Sequence, residues 1–330
     1  MNDSSSVSQY DVIRQLRFPM IVLVTYAHSY GGIADSFNLL SSDWNTYEFL
    51  KLLVSQTLVK VTVPVFFIMS GYLFFANVEP WNMQVFQQKI RRRIKTLLIP
   101  YLVWNLLMVL KLKAFSMSFF WEPANMPLWF LRDLILVSLL TPIIFVAVKR
   151  FGWWILVLLF PIYMTGIWAI QPDVNPYGIC FFTIGAILSI KKLDLVGTCK
   201  RFEIPAYLLA SMSCVGMLLS HGSQMFMPLM LVFRLSGAFA VFCLASRCTQ
   251  RWASYGQSPL CSLLAKSSYF IFLAHYVFFF SFIDSLFFSF FGTSTLSLSL
   301  HYLLCPLVKS AIFVGIYFLY QKYGGLKNSK

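Results

Sequence analysis

Long apolar runs separated by short polar breaks recur from one end of the chain to the other. Ten of them, at roughly 13–35, 52–77, 97–115, 128–148, 153–170, 175–190, 204–220, 228–246, 267–291 and 302–321, are candidate membrane-spanning helices. About 20 apolar residues at a helical rise of 1.5 Å cross a hydrocarbon layer of about 30 Å. The sixth run is short and contains glycine, so whether it crosses completely is left open. No internal repeat is visible, and no linker is long enough to separate domains. The pattern predicts an all-α fold, a polytopic transmembrane helical bundle of about ten spans, filling residues 1–330 as a single membrane domain.

Composition agrees. Of 330 residues, 58% are hydrophobic and 18% aromatic, only 12% are charged, and the mean hydropathy is +0.72. Soluble domains carry about 25% charged residues, which excludes a water-soluble core. The net charge of +14 raises the question of nucleic acid, but the basic residues sit in short loops between apolar runs and not on one soluble face. The N-terminus MNDSSSVSQYD is polar and acidic and lacks a signal-peptide cleavage pattern. The seven cysteines lie mostly inside apolar runs, with no metal-ligand spacing, and read as small buried hydrophobes.

With the N-terminus inside, 19 of the 26 Lys and Arg residues fall in inner segments, three (Lys51, Lys111, Lys113) in outer ones and four within spans. That bias predicts cytoplasmic termini. The four, Lys60, Arg132, Arg234 and Lys309, are joined inside spans by Asp133, Asp284, His28 and His275. Ionisable groups at membrane depth cost at least about 2.5 kcal/mol each and face cavities or partners.

Arg17 and His28 stand eleven residues apart, about three helical turns and 16 Å, on one face of the first run. His275 lies nine residues beyond Lys266, about 13 Å into the ninth. The two histidines therefore share one layer. A neutral imidazole is a natural proton acceptor near pH 7; the alternative is a helix–helix hydrogen bond from each. Lys60, Arg132, Arg234 and Lys309 lie about 8–12 Å below the outer surface and outline an outward vestibule, with Asp133 and Asp284 as counter-ions or hydroxyl-binding groups. Interior salt bridging is the competing reading. One continuous cavity is expected, narrowest at His28, with Arg17 on its inner side.

Five strings then matter together: Arg17 and His28 with ten residues between them; PVFFIMSGYL, whose Ser70-Gly71 pair lets a backbone approach a ligand closely; the basic run KIRRRIK leading to Leu98-Ile99-Pro100-Tyr101; PLWFLRDL, with the Arg132-Asp133 pair; and SSYFIFLAHY, with His275. Arg91, Arg92, Arg93 and Lys95 form a cationic patch suited to a polyphosphate, although plain positive-inside anchoring accounts for most such charges. The set, in this order over residues 14–276, resembles the acyltransferase 3 family of integral-membrane acyltransferases.

The resemblance implies a membrane O-acyltransferase of a bacterial cytoplasmic membrane. It would move an acyl group, acetyl by family weight, from cytoplasmic acyl-coenzyme A to a hydroxyl of a carbohydrate or lipid-linked saccharide. Acyl-coenzyme A would be a co-substrate, with no permanently bound cofactor and no metal. By the family pattern His28 is the catalytic histidine, Arg17 its partner, and Arg93 engages the nucleotide end of the donor. The family's second arginine, three residues on, is Thr96 here, and Lys95 is its substitute. Arg92, Ser70 and Gly71 join the donor-side set, and Lys60, Arg132, Asp133, Arg234, Asp284 and Lys309 the acceptor side. His275 or Arg132 would support the oxyanion, or His275 would hold the tautomer of His28. The rival class is a transporter or flippase of a saccharide or lipid intermediate, since mid-depth polar residues also mark translocation paths; the absence of repeats and of paired broken helices speaks against it.

Overall fold

The computed structural model describes residues 8–29, 44–77, 80–113, 121–165, 177–278 and 281–324. Among them the secondary structure is helical throughout. The ends of the expected spans at 30–35, 114–115, 166–170, 175–176 and 279–280 lie outside the described residues, as do Lys327 and Lys330.

We label the helices α1 (Gln9–Ala27), α2 (Thr46–Phe75), α3 (Met83–Leu112), α4 (Met126–Leu139), α5 (Thr141–Phe151), α6 (Trp154–Thr165), α7 (Tyr177–Ile190), α8 (Leu195–Leu219), α9 (Phe226–Arg251), α10 (Pro259–Ala274), α11 (Ser281–Phe291) and α12 (Thr295–Leu319). Side-chain caps explain several starts. Ser8, Asn45, Asn82, Ser258 and Ser294 each accept a backbone N–H from the first turn that follows, satisfying donors a helix leaves unpaired.

Five helices are long and apolar enough to cross a membrane: α2, α3, α8, α9 and α12 with its continuation to Gly324. The α4–α5 pair, bent by 62°, passes the same test only when its two halves are taken together as one span. The expectation of about ten straight spans is thus met in part. Residues 128–148 break because Pro142 has no N–H for the Ser138 carbonyl, which takes the Thr141 hydroxyl instead at 2.7 Å. The ninth expected span, 267–291, is two shorter helices, α10 and α11. Lys51, expected in an outer segment, is buried in α2 and pairs with Glu48 at 2.6 Å.

The chain forms two compact units, residues 1–62 with 196–330, and residues 63–195. In the first, α1 packs on α10, α9 and α12 through a stripe of Val12, Ile13, Leu16, Met20 and Val24, spaced for one helical face. Within α2, a π turn at Leu52–Thr57 and a 3-10 turn at Leu58–Val61 disturb the ladder. The hydroxyls of Thr57 and Thr62 donate to the carbonyls of Leu52 and Val59 there. Ser55 in the π turn bonds both the Tyr26 carbonyl (2.9 Å) and the Tyr302 hydroxyl (2.6 Å), tying α1, α2 and α12 together.

In the second unit, α2 and α7 cross at two glycines. A Cβ on Gly71 would lie 2.0 Å from the Phe182 carbonyl oxygen, and one on Gly185 would lie 2.0 Å from that of Ile68. Both obstacles are backbone, so relief requires the helices to separate. Gly71→Ala and Gly185→Ala should each destabilise the unit by about 1–3 kcal/mol, seen as a lower thermal midpoint in detergent. Gly315→Ala, where a new Cβ meets nothing within 4 Å, should leave the midpoint unchanged or raise it.

Candidate active site

Two helix ends make the centre of the first unit. α1 stops at Ala27, with His28 as its C-cap, and α10 stops at Ala274, with His275 as its C-cap. The rings of His28 and His275 stand 5.4 Å apart, centre to centre, and Tyr276 packs edge-on against His28 at 5.5 Å.

His275 is buried, and its Nδ1 lies 2.9 Å from the Ile271 carbonyl oxygen and 3.0 Å from that of Phe272. Both partners are acceptors, so Nδ1 carries the proton and Nε2 holds the lone pair. Nε2 is buried and without a hydrogen-bond partner among the described residues. The side chain therefore satisfies carbonyls at the end of its own helix and keeps a bare acceptor at Nε2.

The pair borders a narrow cavity with Thr25, Ser29, Phe278, Pro306, Lys309 and Phe313, with free volume of about 20 Å³, room for one water-sized group. A second cavity of about 280 Å³ lies toward the starts of the same helices, lined by residues including Arg14, Gln15, Phe18, Trp252 and Cys261. Among the described residues, the histidine pair borders the first cavity and not the second. Arg17 is exposed and borders neither cavity. His28 and His275, expected within continuous spans, mark the points where two helices end.

Lys309 and Asp284 meet. The Lys309 ammonium lies 2.8 Å from each carboxylate oxygen, and His301 Nε2 is 2.9 Å from Oδ1. Sequence reasoning passed over His301, although His301, Cys305 and Lys309 recur every four residues on one face of α12, which is a legible signal. Asp284, His301 and Cys305 could each offer a metal one atom, all within 4.8 Å of one another; Lys309 already neutralises the carboxylate. Lys60 lies on the 3-10 turn of α2, within electrostatic reach of Arg234 on α9.

In the second unit, Arg93 donates to the Ser70 hydroxyl at 2.8 Å and lies over the Phe74 ring at 5.3 Å. Lys89 donates to the Phe74 carbonyl. The structure thus joins Arg93 to Ser70, while Arg92 and Lys95 stay exposed. The close backbone approach at Gly71 is made by α7, not by an open surface. Arg132 and Asp133 are both buried and bonded to each other at 2.9 Å, and Arg132 also donates to the Trp121 carbonyl at 2.8 Å.

A family model described as an acyltransferase domain matches residues 11–320. The chain belongs to the acyltransferase 3 family. Over 179 residues it is 26% identical to the succinoglycan biosynthesis protein ExoH of Rhizobium meliloti (strain 1021), a match covering 45% of this chain and 45% of that protein. The matched stretch is thus under half the length of that curated relative. No solved structure matches the chain.

The Arg132–Asp133 pair is buried and mutually bonded. Asp133→Ala leaves a buried guanidinium without its carboxylate and should cost about 3–5 kcal/mol, whereas the double change Arg132→Met with Asp133→Leu should recover most of it. Thermal unfolding in detergent checks both.

Proposed function

We propose that the protein is a membrane O-acyltransferase, transferring an acyl group, acetyl foremost, from acyl-coenzyme A to a hydroxyl of a carbohydrate or lipid-linked saccharide. Family membership supports the reaction class, and the likeness to a succinoglycan biosynthesis protein supports a saccharide acceptor. The observation that carries the reading is the pair of facing imidazoles at two helix ends on a cavity sized for one hydroxyl.

In this reading His28 is the general base. The acceptor hydroxyl enters the narrow cavity, gives its proton to His28 and attacks the thioester carbonyl. Because Nδ1 of His275 is held by backbone carbonyls, its Nε2 can only accept; it would take an N–H from His28 and so orient the base. In this reading a neutral His275 has no free N–H for an oxyanion and acts by orienting His28.

The donor's nucleotide end is assigned to Arg93, backed by Ser70 and Lys89, with exposed Arg92 and Lys95 adding attraction for phosphate. The lysine and arginine bias supports a cytoplasmic location for this basic mouth and for both termini. Acyl-coenzyme A is a co-substrate here, and the membrane is the bacterial cytoplasmic one.

His28→Ala should lower acyl transfer from acetyl-coenzyme A by about 10²–10⁴-fold with an unchanged thermal midpoint in detergent. Retention of activity within a few-fold of wild type would overturn the base assignment. Arg93→Ala should raise the KM for the donor more than it lowers kcat, because a phosphate contact acts equally in ground and transition states. The difference from wild type should shrink as salt is raised; an unchanged donor KM would make the basic run a topological anchor alone.

A further inference from the structure

The attack on a thioester builds negative charge on the carbonyl oxygen, and that charge needs a donor within the cavity. The described residues around it can be taken in turn. His275 offers a lone pair, as its only proton is held by backbone carbonyls. The Thr25 hydroxyl donates to the Val22 carbonyl at 2.7 Å, and the Ser29 hydroxyl to the Thr25 carbonyl at 2.6 Å. The backbone N–H groups of His28, Ser29, His275 and Phe278 close turns onto the carbonyls of Thr25, Tyr26, Ile271 and Ala274. Phe278, Pro306 and Phe313 contribute apolar surface.

Lys309 remains. Its ammonium carries three donors, and Asp284 takes at most two of them at 2.8 Å. The side chain is largely buried, so a charge–charge contact there is less weakened by water than at a surface. His301 bonds the same carboxylate through Oδ1 and packs over the Phe288 ring, 4.4 Å between centres, which holds the carboxylate in place.

We propose that Lys309 is the catalytic electrophile of this site, donating to the oxyanion of the tetrahedral intermediate, with Asp284 and His301 as positioning residues. The inference rests on the acyltransferase reading with His28 as base. As the acceptor O–H gives its proton to His28, its oxygen bonds to the thioester carbonyl carbon. The C=O π pair moves onto oxygen, where a Lys309 N–H receives it. Collapse restores the C=O bond and breaks the C–S bond, and the departing thiolate takes the proton from the His28 imidazolium.

The test is steady-state kinetics of Lys309→Met, Lys309→Arg, Asp284→Asn and His28→Ala in detergent, using acetyl-coenzyme A and a carbohydrate acceptor, with thermal midpoints recorded alongside. Lys309→Met should lower kcat by about 10²–10³-fold with donor and acceptor KM within a few-fold of wild type. Lys309→Arg, which keeps charge and donors, should recover part of the loss. Asp284→Asn should lower kcat less than Lys309→Met. If Lys309→Met does not fold, the double variant Lys309→Met with Asp284→Asn removes the stranded carboxylate and should show the same kcat loss. A raised acceptor KM with kcat intact would overturn the proposal and make Lys309 a ground-state binding group. A kcat within a few-fold of wild type would overturn it as well. Activity surviving in His28→Ala would instead bring down the underlying reading, whatever the lysine variants do.

Discussion

A helix that ends among apolar side chains must find partners for its last carbonyls, because little water is there to take them. The first unit meets that demand twice in one place, at Ala27 and at Ala274. At the second end the His275 ring itself supplies the donor. This one contact has three consequences. It lets α10 stop without a glycine or proline, it fixes the tautomer of His275, and it leaves the remaining nitrogen as a bare acceptor beside the His28 ring. Folding and site chemistry thus depend on the same proton.

The surrounding charges follow a similar logic. Acidic groups in the described helices pair with cations: Asp133 with Arg132, Asp284 with Lys309, Glu48 with Lys51, Glu203 with Arg247 and Asp11 with Arg14. The pairs differ in what they leave over. Arg132 directs further donation to the Trp121 carbonyl, a closed structural arrangement. Lys309 borders the cavity of the histidines and keeps a donor in hand. The two cations thus differ in the partners the structure gives them.

Much of this was legible in the amino-acid sequence, and the exceptions share a cause. The helical class follows from apolar runs of spanning length, and the nearness of His28 to His275 follows from equal depth counted from Arg17 and Lys266. The breaks were harder to see. Only at Thr141-Pro142 does a residue without an N–H announce one. At His275 the run of aromatic and aliphatic residues continues past the helix end, through Tyr276, Val277 and Phe278, so hydrophobicity alone carries no stop signal there. His301 was missed because attention went to single buried charges, whereas its meaning comes from spacing, four residues from Cys305 and eight from Lys309 on one face of α12. Gly71 was read as space for a ligand; sequence cannot say that a neighbouring helix fills that space.

The two cavities also bear on how Arg17 should be understood. A family pattern joins it to His28 across three helical turns, yet its side chain reaches neither cavity. Proximity to the reacting atoms is therefore not what that spacing provides. Three full turns keep the two residues at one azimuth of α1, so whatever approaches the helix along that face meets the guanidinium at one end and the imidazole at the other. In the proposed reading Arg17 would act by alignment, holding the donor so that its acyl carbon arrives where His28 can activate an attacking hydroxyl, and the large gain available from correct orientation gives such a distant residue a catalytic consequence.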